Sequence, residues 1–105
     1  MSLSSKSDVL TYQGIFAAGS TALKLNQEFG FKLNESNEWE VFQNQFKKID
    51  KFSLPTKPDG YEITEERLNS NLKELRQKIA SEDYKDALRL VEIIFHDIHS
   101  VYQDV

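Results

Sequence analysis

Between Tyr84 and Tyr102 the chain is apolar along one broad side of a helix. Tyr84, Leu88, Val91, Phe95, Ile98 and Tyr102 recur at alternating steps of four and three, and Ala87, Leu90, Ile94 and Val101 lie beside them. At about 100° per residue this sector spans roughly 160°. A helix that broad needs more than one neighbour to cover it, which excludes a lone two-helix hairpin. The 105 residues suffice for one domain and a modest core, since folding hides roughly 65% of the unfolded surface at this size. The reading is an all-α chain, a compact and mainly antiparallel four-helix bundle forming a single helical domain over residues 1–105.

Three further helices are expected. The first runs from Ser7 or Asp8 to Glu28, with Tyr12, Ile15, Phe16, Gly19, Ala22 and Leu23 on its inner side. Its small-residue centre, Phe16 to Ala22, reads as tight helix packing. Gly14 and Gly19 each cost this helix roughly 1 kcal/mol relative to alanine. Gly30 follows as the residue that ends it. The second helix starts near Asn34, Ser36 or Asn37, where Asn37 and Glu40 have capping-box spacing. Trp39, Phe42, Phe46, Ile49 and Phe52 then form an aromatic stripe of core type. Residues 53–63, with Pro55, Pro58 and Asp59-Gly60, read as a connecting loop. The loop can cross one end of a bundle, so the helices on either side of it need not pair tightly.

Thr64 is the expected cap of the third helix, and Glu65 and Glu66 suit its first turn. Leu68, Leu72, Leu75 and Ile79 form its stripe, and Glu74 with Lys78 makes an i,i+4 pair. The short joint at Ala80 to Asp83 makes the third and fourth helices antiparallel neighbours. Asp83-Tyr84-Lys85-Asp86-Ala87-Leu88 resembles the turn and second-helix start of a tetratricopeptide unit. No second copy follows at the ~34-residue period such repeats require, so the likeness is one of hairpin construction. Residues 1–6 are expected to be disordered.

Charge and missing residue types exclude several activities. Seventeen acids face thirteen Lys and Arg, for a net charge of −4; residues 1–60 hold seven of each sign and 61–105 hold ten acids and six bases. The nearest basic run, Lys47, Lys48, Lys51 and Lys57, reads as solvated surface, so no nucleic-acid partner is expected. The absence of cysteine removes thiol nucleophiles, zinc fingers, iron–sulfur centres and disulfides. No stretch approaches the roughly 20 apolar residues of a transmembrane helix. The polar start, Met1 to Ser7, fits a cytoplasmic chain by default, or an exported or lipid-anchored one if an upstream signal had been removed.

Histidine offers the one metal-like pattern. Glu92, His96 and His99 tend toward one side of the last helix, and imidazole with carboxylate suits Zn²⁺ and its neighbours. A zinc site wants three or four protein ligands, and a di-metal bundle wants Glu-x-x-His on two helices; neither pattern is present. The helical wheel places His99 at the core edge and His96 toward water. No Gly-x-Ser-x-Gly elbow occurs, and the glycines stand apart at 14, 19, 30 and 60. The expectation is a non-catalytic accessory or protein-binding domain without a resident cofactor, recruiting a protein partner or a second copy of itself. The alternative is a small metal- or haem-binding bundle using His96, His99 and Glu92.

Overall fold

A computed structural model describes residues 6–53 and 61–104, and the expectations for residues 1–5 and 54–60 lie outside them. The chain is an all-α four-helix fold with no β-sheet among the described residues: α1 (Lys6–Phe29), a 3-10 turn (Leu33–Glu35), α2 (Asn37–Phe46), α3 (Tyr61–Ala80) and α4 (Tyr84–Asp104). α1 packs against both α2 and α4, and α3 packs against α4. Pairs such as Gln13–His99 and Lys24–Glu92 set α1 and α4 antiparallel. Arg67–Asp97 and Glu74–Arg89 do the same for α3 and α4. The backbones of α2 and α3 stay apart, as a connection crossing the bundle end allows.

Each helix end has a local cause. Gly30 takes φ +72°, and its N–H reaches the Asn26 carbonyl at 3.0 Å, closing α1 with a left-handed residue as expected. α2 is capped by Ser36, whose hydroxyl accepts from the Trp39 N–H at 3.2 Å. The expected Asn37 box is therefore not used; Asn37 is already helical, and serine one residue earlier holds the extended geometry a cap needs. α3 begins at Tyr61, so residues 61–63 belong to a helix rather than the loop, and Thr64 lies inside the first turns rather than at the cap. α3 ends in a Schellman motif, with Asp83 N–H to Lys78 O at 2.9 Å and Glu82 N–H to Ile79 O at 3.1 Å.

The core joins all four helices. Phe16 is fully buried at the centre of an aromatic cluster, its ring 5.7, 6.3 and 6.2 Å from Phe42, Phe46 and Phe52. α2 stops at Phe46, earlier than its stripe suggests, yet Ile49 and Phe52 remain buried. Asn69 on α3 secures that turn: it accepts from the Phe52 N–H at 2.7 Å and donates to the Phe52 carbonyl at 3.0 Å.

On α4 the buried residues are Ala87, Leu90, Val91, Ile94, Asp97 and Ile98. Relative to the stripe read from the sequence, this face is rotated by roughly 70° at 100° per residue. Tyr84, Leu88 and Phe95 are only partly buried. The rotation follows from packing: α4 lies between α1 and α3, and Ala87, Leu90 and Ile94 fill that wedge.

Candidate functional site

Among the described residues, three surface features bear on function. The first is the crease between α1 and α4, a half-open groove of about 370 Å³ lined by Ala17, Ser20, Thr21, Lys24, Glu92, Phe95 and His96. The small residues of α1 divide their work. Gly19 packs onto Phe42 and Ala22 is buried, whereas Ala17, Ser20 and Thr21 leave room beside the half-buried Phe95.

The structure brings Glu92 and His96 to this crease and sets His99 one turn further along. Glu92 is held by Lys24 at 3.3 Å. The Nδ1 of His99 lies 3.0 Å from the Gln13 amide, so this histidine is exposed and bridges two helices. His96 is exposed, as the wheel suggests. No group of three His, Cys, Asp or Glu side chains that could hold a metal occurs among the described residues.

The second feature is the seam between α2 and α3. A groove of about 340 Å³ is lined by Gln43, Asn44, Phe46 and Lys47 from the α2 side and Ile79 from α3. Beside it, Arg76 stands over one of the lining side chains, its guanidinium carbon 5.6 Å from the centre of the Phe46 ring. Its two terminal nitrogens reach the Asp50 carbonyl at 3.5 Å, a long contact. At the upper end of α2, Trp39 meets Tyr84 edge-on at 5.9 Å. Burial, helped by Glu82, pushes the Tyr84 hydroxyl above its ordinary range.

The third is an aromatic pair at the end of α1. Phe29 and Phe31 are 68% and 60% exposed, with ring centres 6.4 Å apart. Phe31 also lines a hollow of about 290 Å³ with Leu25, Lys32 and Glu35.

Several other charges are tied between helices. Asp97, buried at 6% exposure, receives Arg67 through two hydrogen bonds of 2.8 and 2.6 Å, which raise the Arg67 pKa. Lys78 leaves its expected partner Glu74 and bridges to Asp86 at 3.1 Å and Asp83 at 3.6 Å; Glu74 pairs with Arg89 instead. Hydrogen bonds from Arg89 and then Lys78 hold the Asp86 carboxyl below its usual range. Sequence reading missed Asp97, Arg67, Asn69 and Arg76. An acid falling within an apolar helix face is the signal that could have singled out Asp97.

The chain matches no protein-family model, no curated protein and no solved structure. No helix among the described residues is long and apolar enough to cross a membrane.

Proposed function

We propose that this chain is a non-catalytic helical domain that binds a protein partner through the α2–α3 seam. The observation that carries the reading is the missing fourth contact of the bundle. Three neighbouring helix pairs pack backbone to backbone, and α2 with α3 does not. The groove left there reaches the edge of the core at Phe46 and Ile79, with Arg76 beside it over the Phe46 ring. Protein interfaces favour such places, where aromatic and arginine side chains stand at an apolar centre with polar groups around it. The non-catalytic part is supported by the fate of the polar side chains. Glu92, Asp97, Asp86 and His99 are each spent on interhelical contacts rather than gathered around one cavity.

Photo-crosslinking in the native host tests this. A benzophenone side chain at Asn44, in the seam, should give a protein adduct that the same group at Lys85 on α4 does not. Absence of adducts from Asn44 and from the other exposed faces would overturn the reading. An adduct with the same chain would make the partner a second copy.

A further inference from the structure

We infer that the α2–α3 seam receives an acidic, apolar-sided segment of a partner protein, its carboxylates on Arg76 and Lys47 and its apolar side chains on Phe46 and Ile79. This rests on the protein-binding reading above and adds the chemistry of the occupant.

The arginines make the first argument. Arg67 is paired with Asp97 and Arg89 with Asp86 and Glu74. Arg76 alone of the three has no carboxylate among the described residues; it has the Phe46 face and two long 3.5 Å contacts to the Asp50 carbonyl. A guanidinium presents a planar fork that matches a carboxylate with two parallel hydrogen bonds. The fork of Arg76 is therefore positioned over an apolar floor with its best acceptor missing.

The surrounding charge points the same way. On α3, Asn69, Lys73 and Arg76 fall at i, i+4 and i+7 on one flank, whose two ends meet Phe52 and Phe46; Glu74, between them in the sequence, turns to Arg89 on α4. Lys47 is the charged group lining the groove itself. Acids stand around it rather than in its lining: Glu40 in the next hollow along α2, Asp50, whose carbonyl meets Arg76, and Glu82, whose N–H bonds the Ile79 carbonyl at 3.1 Å. A basic segment would meet Lys47 and Arg76 with like charge, and a neutral one would leave both unpaired. A nucleic acid would need a longer basic track than this short seam supplies, and would face a chain of net charge −4.

The test is a selection of random displayed peptides on the intact chain. Enriched peptides should carry Asp or Glu beside Leu or Phe and should shift the amide resonances of Gln43, Asn44, Lys47 and Ile79. Arg76→Gln should weaken them at least about tenfold in fluorescence anisotropy, as loss of a charge-assisted pair requires. Lys47→Gln, at an exposed position, repeats the test without touching the core. Neutral or basic peptides, shifts confined to Phe29–Phe31 or the α1–α4 crease, or displacement by a single-stranded oligonucleotide would each overturn the inference while leaving a binding function in place. An unchanged affinity in both variants would do the same. No enrichment of any peptide would remove the protein-binding reading as well.

Discussion

Gly19 of α1 lies directly against the ring of Phe42 in α2. A Cβ on the glycine would stand 2.6 Å from Cδ1 and 2.9 Å from Cγ of that ring. Phe42 is fully buried and stacked between Trp39 and Phe46, at 5.3 and 5.0 Å, so the ring has nowhere to retreat. Gly14, on the same helix, has nothing within 4 Å of its added Cβ. Gly19→Ala should lower stability by about 1–3 kcal/mol through overpacking, and Gly14→Ala should raise it by about 0.5–1 kcal/mol. Urea melts of the two variants should move in opposite directions. Two shifts of the same sign would mean that the close approach of α1 and α2 is wrong.

The pair Arg67–Asp97 is lopsided in exposure, and its two halves should respond unequally. Removing Arg67 strands a carboxylate at 6% exposure. Removing the charge of Asp97 leaves a guanidinium that is already 54% exposed and can turn to water. Arg67→Met should cost about 2–3 kcal/mol, below the ~3–5 of a fully enclosed pair. Asp97→Asn should cost about 1 kcal/mol, because the amide keeps one hydrogen bond. Chemical denaturation would refute the arrangement if Asp97→Asn proved the more damaging change.

Glu82 occupies φ 59° at the position of the α3 Schellman motif that glycine usually fills. An L side chain in the left-handed region costs roughly 1–2 kcal/mol, and part of that is recovered by the greater freedom of glycine in the unfolded chain. Glu82→Gly should therefore stabilise by roughly 0.5–1 kcal/mol, raising the thermal midpoint by about 2–8 °C at this size. A lower midpoint would show that the turn depends on the glutamate side chain.

Asp86 ties α4 to α3 and sets the acid sensitivity of this end of the bundle. Its folded pKa lies below the ordinary 3.8, so the unfolded chain takes up its proton first as pH falls. The stabilising share is fully present above that ordinary value and is lost as pH drops through the lower folded one. Lys78, with a raised pKa, acts on the alkaline side: its share is present below 10.5 and disappears as pH rises through the higher folded value. Asp86→Asn should flatten the loss of stability between pH 5 and the acid limit, measured by denaturant midpoints at each pH. An unaltered acid limb would exclude the depressed carboxyl.

Much of this fold was legible because apolar spacing records burial directly. Trp39, Phe42, Phe46, Ile49 and Phe52 are all buried, although the helix covers only the first three; the spacing reported which side faces inward and not where the helix stops. On α4 the large side chains drew the expected face toward Phe95, while the space between two neighbours selected the smaller Ala87 and the aliphatic Leu90 and Ile94. Asp97 sits on that face because Arg67 arrives from thirty residues away, a partner no local pattern can name. The candidate site was the least legible part. Gln43, Lys47 and Arg76 look like any solvent-facing polar side chains until α2 and α3 are seen to stand apart, and Glu92, His96 and His99 gather less closely than their spacing suggests.

The shortness of α2 has a mechanical consequence. Its ten residues lean by their backbone on α1 alone among the helices, so α2 can open with few neighbours to leave. Such a piece belongs to the low end of the local-opening scale, and its amides should exchange ahead of those in α1 and α4. Lifting it would bare Phe16, the ring on which the interior converges. The shortest of the described helices therefore covers the aromatic centre of the interior, and wrongful assembly between chains would begin at that door.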